Sequence, residues 1–376
     1  MGALDDVLVV SLEHAVAAPF ATRQLADNGA RVIKVERIEG GDFARSYDER
    51  VRGLSSHFVW CNRSKESLAL DLKSAEGLAA LKVLVAKSDV LVQNLAPGAA
   101  ARMGLDYATL AELHPRLIVC DISGYGQSGP YELRKAYDLL IQAESGFLSI
   151  SGTPESPAKA GCSIADIAAG MYAYSNILTA LIERSRTGKG RHIDISMLEA
   201  MSEWMSYPLY YAFDGAAPPL RAGASHASIY PYGPFPTADG DVVLGVQNDR
   251  EWISLCTHVL AKPELAIDPR FVTNSLRTRH RDALDAVIGD CFRQLSRAQV
   301  TERLDRAQIA NANVNTMADL WIHPQLKARD RWVEIGTPAG AVPALLPPGM
   351  GQDARMDAVP ALGEQTDKIL RELLVG

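Results

Sequence analysis

The sequence lacks the motifs that usually identify nucleotide-binding enzymes. No G-x-G-x-x-G follows the first predicted strand and there is no Walker A sequence, so dinucleotide and ATP binding lose their main support. The five cysteines are an odd number without paired spacing, which indicates a reducing compartment, with the cytoplasm as the default, and no structural metal. The N-terminus, MGALDDVLVVSLEH, enters a strand directly, so we expect neither a signal peptide nor a membrane-spanning helix there.

An excess of positive charge is also absent. The formal net charge is -7, which argues against nucleic acid or an anionic membrane surface as a partner. A ligand that carries phosphates would therefore have to be bound by local groups of Lys and Arg. At 376 residues the chain is longer than one typical domain, so we expect two domains or one large domain with an insertion.

What the sequence does contain is an alternation of short apolar runs with helical segments. The predicted strands are 6–13, 31–36, 67–71, 89–94, 116–123 and 191–196. The predicted helices between them are 19–28, 75–87, 107–114 and 163–186. This alternation predicts right-handed βαβ units and a doubly wound α/β fold with a parallel sheet. Ligands of such sheets bind beyond the carboxyl ends of the strands, which points to loops 13–18, 37–42, 94–98 and 123–129.

The composition changes after a predicted aromatic-rich helix at 197–214. Residues 215–240 are rich in Ala, Pro and Gly, which is typical of a domain boundary. We therefore predict a large ligand-binding domain over 1–220, a smaller α/β domain over 221–325, and a C-terminal segment, 326–376, that returns to the large domain. The smaller domain should hold a strand at 241–246 and helices at 251–259, 280–294 and 297–307.

The candidate reacting group is Asp166, in the stretch AGCSIADIAAG at 160–170. Apolar residues recur at three- and four-residue spacing from 163 onward, which predicts a helix with a buried face and places Asp166 in its first turn. Its neighbours on the same face, Ala169, Gly170 and Ala173, are too small to cover it, so a substrate could approach the carboxylate. The alternative is that Asp166 only complements the helix dipole.

Taken together, six motifs resemble the family III CoA-transferases, the group that includes formyl-CoA:oxalate CoA-transferase and related acyl-CoA racemases. The motifs are EHAVAAPFATRQLADNGARVIKVER (13–37), NRSKESLALDLKS (62–74), DVLVQNLAPGAAARMGLDY (89–107), ISGYGQSGP (122–130), KAYDLLIQAESG (135–146) and GCSIADIAAGMYA (161–173). The resemblance implies that Asp166 carries the acyl group as an anhydride and CoA as a thioester. It also implies no permanently bound cofactor, acyl-CoA and a carboxylic acid as small-molecule substrates, and an interlocked homodimer.

The resemblance further implies a set of CoA contacts. They are His14, Ala15, Val16, Arg37, Leu70, Lys73, Asn94, Leu95, Arg102 and Lys135. The four cations among them could bind the phosphates of CoA, although each could equally be a solvated surface charge. The sequence departs from the formyl-CoA enzyme at Val16, where that enzyme has a polar residue, which puts this contact in doubt.

Two other functions fit parts of the sequence. An acyl-CoA racemase would need a His–Asp pair, but similar racemases have His where this chain has Tyr137, and a tyrosine is a poor base near neutral pH. A CoA- or nucleotide-sensing domain would not need Asp166 among small residues. Transfer is therefore the favoured interpretation, with Tyr137 expected at the substrate.

The acceptor acid is predicted from residues 201–235. This stretch resembles the branch that acts on short branched dicarboxylates, namely mesaconyl-CoA, itaconate and citramalate CoA-transferases, and succinate is a further possible acid. A distal carboxylate would need a cation, and Arg221 or His226 could supply it. The alternative for His226 is that it caps or bridges loop backbone.

Overall fold

The computed structural model describes residues 2–375, and side chains through residue 373. The strands, numbered in chain order, are β1 Leu8–Leu12, β2 Arg31–Glu36, β3 Lys65–Ala69, β4 Val90–Gln93, β5 Ile118–Ser123, β6 His192–Ser196, β7 Tyr232–Pro236, β8 Asp241–Gly245, β9 Ala310–Asn313, β10 Trp332–Ile335 and β11 Val342–Leu345. The helices are α1 Ala17–Asp27, α2 Ser56–Asn62, α3 Ala75–Ala86, α4 Ala99–Arg102, α5 Tyr107–Leu113, α6 Asp138–Glu144, α7 Phe147–Ile150, α8 Ile164–Thr187, α9 Met197–Trp204, α10 Ser206–Tyr211, α11 Asp249–Ser254, α12 Asn274–Arg279, α13 Arg281–Phe292, α14 Arg297–Arg306, α15 Met317–Trp321, α16 Pro324–Ala328 and α17 Thr366–Val375.

The first six strands form one parallel sheet in the order β3-β2-β1-β4-β5-β6. This confirms the predicted parallel α/β architecture. The predicted strand 31–36 has the bounds of β2, and the other five predicted strands differ from the observed ones by no more than about two residues at either end. The strand order reverses between β1 and β4, which is where sheets of this kind leave a crevice for ligands.

The chain forms two compact units. Unit 1 comprises residues 2–145, 160–206 and 325–375, and unit 2 comprises 146–159 and 207–324. In unit 1, β-strand residues such as Val10, Ile33 and Leu91 pack with apolar residues of α3 and α5 and with Ile369 of α17. Helix α8 packs closely against α1 at Gly170: a Cβ at this position would lie 2.7 Å from the carbonyl oxygen of Ala17. This close packing fixes where α8 begins relative to the sheet.

Unit 2 is built around a three-stranded antiparallel sheet in the order β7-β8-β9. Its core is aromatic and aliphatic, with Trp252, Phe271 and Phe292 fully buried beside residues of α13 and α14. The predicted helix 251–259 is α11 followed by a π-helical turn at Leu255–Val259. The predicted helices 280–294 and 297–307 correspond to α13 and α14.

The division of the chain differs from the predicted ranges 1–220, 221–325 and 326–376. The compact units separate after residue 206 rather than after 220, and residues 146–159 belong to unit 2. The reason is a pairing between distant loops: the Gly223 N–H donates to the Gly152 carbonyl at 2.8 Å, and Arg221 donates to the Thr153 carbonyl. Local composition cannot reveal a contact between segments about 70 residues apart.

The single helix predicted at 197–214 is wrong in its extent. It is interrupted after Trp204, and α10 then ends at Tyr211 before a 3₁₀ turn at Phe213–Gly215. The interruption coincides with a positive φ of 34° at Ser206 and with Pro208, which has no backbone N–H to donate. Within residues 2–375, no helix has the length and apolar character needed to cross a membrane.

Candidate active site

The N-terminus of α8 is capped from another helix. Ser163 occupies the N-cap position but its side chain makes no capping hydrogen bond. Asp138, the first residue of α6, replaces it: Oδ1 of Asp138 accepts the N–H groups of Ala165 at 2.8 Å and Asp166 at 3.3 Å. Asp138 is itself held by Gln142, whose Nε2 donates to Oδ2 at 2.6 Å. The candidate nucleophile therefore lies in the first turn of a helix where a second carboxylate already accepts two of the free N–H groups.

The carboxylate of Asp166 has no cationic partner. Within the described residues no side chain donates a hydrogen bond to it and no Lys, Arg or His lies within 4.0 Å. Burial raises its pKa, and the negative charge of Asp138 raises it further, to about 7. A carboxylate with a pKa near neutrality is a stronger base, and so a better nucleophile, than an ordinary aspartate.

The small residues beside Asp166 have a packing role. Ala169, Gly170 and Ala173 are all buried. Because Gly170 has no side chain, the backbone of α1 can pack directly against it. Gly170 allows α8 to lie close to α1, which is a packing role that the sequence interpretation did not include. Asp166 itself remains partly exposed.

Tyr47 interacts electrostatically with Asp166 and with a second tyrosine, Tyr137. Burial, then the negative charges of Asp42 and Asp166, and then Tyr137 raise the pKa of Tyr47 to about 12. Tyr47 therefore keeps its proton at neutral pH and can donate a hydrogen bond. The sequence analysis included Tyr137, which is 66% exposed, but missed Tyr47. Only its place in the loop after β2 could have suggested it.

The loops after β1, β2 and β4 are joined by hydrogen bonds. Asn94 accepts the N–H of His14 and donates to its carbonyl, both at 2.9 Å. Ala15 adopts a left-handed backbone conformation with φ of 61°, and its N–H donates to Oδ1 of Asp42 at 3.1 Å. The His14 ring stacks on Phe43 at 5.1 Å. Three of the predicted CoA contacts are thus brought together, and Asp42, which the sequence analysis missed, holds one of them.

A buried network of charges lies beneath these loops. Oδ2 of Asp42 accepts from Lys34 Nζ at 2.8 Å, and Oε1 of Glu13 accepts from Lys65 Nζ at 2.7 Å. All four side chains are fully buried. Burial raises the pKa values of both carboxylates, but Lys65 and Lys34 outweigh it at Glu13, and Lys34 with the His14 hydrogen bond outweighs it at Asp42, so both pKa values lie below their usual range. Burial lowers the pKa of Lys65 to about 8 despite the opposing charge of Glu13.

The other predicted CoA contacts occupy varied surroundings. Four cations are exposed on unit 1: Arg37, Lys73, Arg102 and Lys135. Arg37 donates to the Gly41 carbonyl at 2.9 Å, while Lys135 lines a cavity of about 590 Å³. Leu70 is only 6% exposed and lies in the core, and Val16 is buried as the N-cap of α1. The N–H of Leu95 donates to Gln93. The buried residues can reach a ligand chiefly through their backbones.

Another buried carboxylate, Asp121, joins three strands and one loop. Asp121 on β5 accepts from Gln93 Nε2 and from His192 Nε2, both at 2.7 Å, and also from Gln127 in the glycine-containing loop 123–129. The hydrogen bond to Asp121 raises the pKa of His192. The sequence analysis missed this group, because three separate strands and a loop contribute to it.

The two residues predicted to bind a distal carboxylate lie in unit 2 and have structural partners. Arg221 donates through Nε to the Thr153 carbonyl and through Nη2 to the Pro154 carbonyl, each at 2.9 Å. Nδ1 of His226 accepts the N–H groups of Ser228 and Ile229, and its ring stacks on Tyr232 at 5.4 Å. His226 thus caps loop backbone, as its alternative interpretation expected. Its Nε2 and Nη1 of Arg221 make no hydrogen bond within residues 2–375.

Comparisons with known proteins give consistent matches over nearly the whole chain. A family model described as CoA-transferase family III matches residues 4–366. Succinate–glutarate CoA-transferase of Agrobacterium fabrum is 35% identical over 98% of this chain and 95% of its own length. Succinyl-CoA:mesaconate CoA-transferase of Haloarcula hispanica is 34% identical over 90% of this chain and 87% of its own. The crystal structure of a CaiB/BaiF family protein from Brucella suis is similar, with a TM-score of 0.87, 36% identity and 99% coverage of both chains.

Proposed function

The chain belongs to CoA-transferase family III and is a CoA-transferase, and we propose that it transfers CoA from an acyl-CoA to a short dicarboxylic acid through a covalent intermediate on Asp166. The observation that carries the proposal is the state of the Asp166 carboxylate. It lies in the first turn of α8, it has no cationic partner among the described residues, and its pKa is raised to about 7.

The proposed reaction proceeds through four substitutions. An oxygen of Asp166 attacks the thioester carbonyl, forming a mixed anhydride and releasing the CoA thiolate. The thiolate attacks the aspartyl carbonyl, forming a CoA thioester on Asp166 and releasing the first acid. A carboxylate of the second acid attacks that thioester and again releases the thiolate. The thiolate then attacks the acyl carbonyl of the second acid, which yields the new acyl-CoA and regenerates the aspartate.

Hydroxyl groups near Asp166 are suited to stabilise the tetrahedral intermediates. Each attack places negative charge on a carbonyl oxygen, and preorganised donors are the usual means of stabilising it. Because Asp138 already accepts the N–H groups of Ala165 and Asp166, the first turn of α8 is not the donor we propose. We assign this role to Tyr47 and Tyr137, since Tyr47 interacts electrostatically with both Asp166 and Tyr137 and stays protonated at neutral pH.

We propose that CoA binds at the joined loops of unit 1. The predicted contacts His14, Ala15 and Asn94 lie within one hydrogen-bonded group, which supports their assignment. The exposed cations Arg37 and Lys135 are available for phosphate groups because neither forms an ion pair with a carboxylate in the described part of the chain. Lys73 and Arg102 are assigned in the same way.

Dicarboxylic acids are the proposed acid substrates. The names of the two relatives above include succinate, glutarate and mesaconate, all of which carry a second carboxylate. Nη1 of Arg221 and Nε2 of His226 could each donate to such a group, since their other nitrogens are held by loop backbone. Tyr137 remains the third candidate substrate contact.

The test is a CoA-exchange assay with succinyl-CoA as donor and a panel of C4 and C5 acids. We expect mesaconate, itaconate, citramalate or glutarate to accept CoA far better than butyrate. Loss of a charge-assisted hydrogen bond costs about 1.5–3 kcal/mol, so Arg221→Ala or His226→Ala should reduce the preference for dicarboxylates roughly ten- to a hundredfold. Equal activity on butyrate in the unaltered enzyme would overturn the substrate assignment.

We also propose that the enzyme works as an interlocked homodimer in the cytoplasm. Large apolar side chains are strongly exposed around α10, with Tyr210 at 79%, Phe213 at 74% and Leu220 at 81%. Several large apolar side chains exposed within one segment support an interface there. Light scattering at low micromolar concentration should give twice the chain mass of 40.7 kDa, and a folded monomer would contradict the proposal.

A further inference from the structure

One cavity of unit 2 has a strongly cationic lining. It measures about 430 Å³, a size typical of small-molecule sites, and Arg221, Arg279 and Arg281 all contribute to its wall. Asp282 is the one acidic residue among the described lining residues, so the side chains around the cavity carry a formal charge of about +2. For a chain with a net charge of -7, this is a marked local reversal of sign.

The three arginines come from two segments, the loop before β7 and the junction of α12 with α13, and two of them are held in place. Arg221 lies in the loop before β7 and is fixed by the carbonyls of Thr153 and Pro154. Arg281, the first residue of α13, donates through Nη2 to the His226 carbonyl at 2.8 Å. Arg279 ends α12, and its side chain makes no hydrogen bond within residues 2–375. Arg221 and Arg281 are therefore positioned by neutral carbonyl groups, which leave their charge uncompensated.

Several other arginines of the same unit form ion pairs with carboxylates, although Arg250, Arg297 and Arg303 have no carboxylate within 4.0 Å in the described part of the chain. Arg270 pairs with Asp268 at 2.7 Å, Arg293 with Asp290 at 3.6 Å and Arg306 with Glu302 at 2.5 Å. By contrast, no carboxylate in the described part of the chain lies within 4.0 Å of the three arginines at the cavity. Repulsion between like charges makes such a group unfavourable when it is empty, and an anion would relieve it.

A polar group at the same cavity also lacks a partner. Thr278 lines the wall, and its Oγ1 is buried without a hydrogen-bond partner among the described residues. A buried hydroxyl left unsatisfied costs free energy, so its presence here is an observation independent of the arginines. The wall of the cavity therefore combines unpaired arginines with a polar side chain whose hydroxyl has no partner in the described part of the chain.

We propose that this arginine pocket, defined by Arg221, Thr278, Arg279 and Arg281, binds a short-chain dicarboxylate dianion. A guanidinium group matches a carboxylate with two parallel hydrogen bonds, and several of them can hold two carboxylates at once. Phosphate presents similar oxygens, and the choice of a dicarboxylate rests on the proposed function. The binding site itself, including Arg279, Arg281 and Thr278, goes beyond that proposal.

The proposal is tested by calorimetric titration of the full chain with succinate, glutarate, butyrate and inorganic phosphate. Arg279→Ala is the variant of choice, because this side chain makes no hydrogen bond or ion pair in the described part of the chain. We expect it to weaken succinate binding roughly ten- to a hundredfold. Arg293→Ala, on the same unit but paired with Asp290, is the matched control and should bind succinate like the unaltered protein.

The outcomes separate this inference from the proposed function. Asp166→Ala should lose transfer but keep succinate binding, whereas Arg279→Ala should lose binding even in an Asp166→Ala background. An unchanged Kd in Arg279→Ala, or no saturable binding of succinate to the unaltered protein, would overturn the pocket. Phosphate that binds as tightly as succinate and competes with it would overturn its assignment to dicarboxylates.

Discussion

Two groups of carboxylates in unit 1 are buried by the same fold and have opposite properties. Glu13 and Asp42 lie beneath the loops after β1 and β2, where Lys34 and Lys65 contact them and hold their pKa values below the usual range. Asp166 lies in the first turn of α8, where its charged neighbour is Asp138 and its pKa is raised to about 7. Burial pushes the pKa upward in all three cases, so the sign of the neighbouring charge makes the difference.

The comparison separates structural carboxylates from a reactive one. Carboxylates that are compensated by buried lysines stay ionised and keep the loops in place, but their lone pairs are occupied by hydrogen bonds. An uncompensated carboxylate is costly to ionise, and that cost makes its oxygen available to an electrophile. The account therefore predicts large effects on activity at Asp166, large effects on stability at Glu13, and small adjustments at Asp138.

The largest expected effect is at the nucleophile. Asp166→Ala removes the attacking oxygen, so we expect kcat/KM for CoA exchange to fall by at least about 10⁴-fold. CoA should still bind with nearly unchanged affinity, because the substitution deletes no predicted phosphate contact. The measurement is exchange kinetics together with equilibrium CoA binding. Full activity in a verified pure sample would exclude covalent catalysis at this residue.

The next largest effect is on stability, at Glu13, whose charge is compensated by buried lysines. Glu13→Gln leaves Lys65 buried without its carboxylate and takes one partner from Lys34, which should lower the free energy of unfolding by about 3–5 kcal/mol. Urea unfolding monitored by circular dichroism measures it, and Glu112→Gln, at an exposed position on α5, is the matched control. Equal stability of the two variants would contradict the claim that Glu13 is a structural carboxylate.

A smaller effect should appear in the pH dependence of stability. Because the pKa of Asp166 is raised in the folded protein, the folded state holds a proton that the unfolded state has lost between about pH 4 and pH 7. Its contribution to stability is therefore full below about pH 4 and is lost as the pH rises through about 7. Asp166→Asn, which stays neutral, should gain about 1 kcal/mol or more over the unaltered protein between pH 5 and pH 8. Parallel pH profiles of unfolding would show that Asp166 titrates normally.

The smallest effect separates the charge of Asp138 from its capping role. In Asp138→Asn an amide oxygen can still accept the N–H groups of Ala165 and Asp166, but the negative charge is gone. The acid limb of the kcat/KM profile should move to lower pH by up to about one unit, since burial is the larger cause of the raised pKa. An unshifted limb would mean that Asp138 acts only as a cap, and a shift to higher pH would contradict the account.

Much of the parallel sheet could be predicted from the sequence. Periodicity identified its six strands and the long helix with Asp166 in its first turn, because these features depend on local patterns. The cap from Asp138 could not be predicted in the same way, since its hydrogen bond to Ala165 spans 27 positions. The hydrogen bond from Ala15 to Asp42, which joins two loops 27 positions apart, could not be predicted for the same reason.

The predictions for unit 2 were weaker for a related physical reason. Its sheet is antiparallel and includes β9, which lies far along the chain from β8 and contains the polar residues Asn311 and Asn313. Its sequence, ANAN, alternates only between Ala and Asn and is mostly exposed, so it lacks the β-branched and aromatic residues by which a strand is usually recognised. The assignment of 146–159 to this unit depends on the pairing of Gly152 with Gly223, again a long-range contact. The arginine pocket likewise forms from segments that only the fold brings together.

The central claim is that the uncompensated carboxylate, Asp166, carries CoA during turnover. The most direct measurement is to incubate the enzyme with succinyl-CoA, trap acyl-aspartyl species with hydroxylamine and map the modified peptide by mass spectrometry. The account predicts a hydroxamate on the peptide that contains Asp166, formed only when the acyl-CoA is present and absent from Asp166→Ala. A modification at Glu13, Asp42 or Asp138, or active enzyme with no trapped species at all, would contradict it.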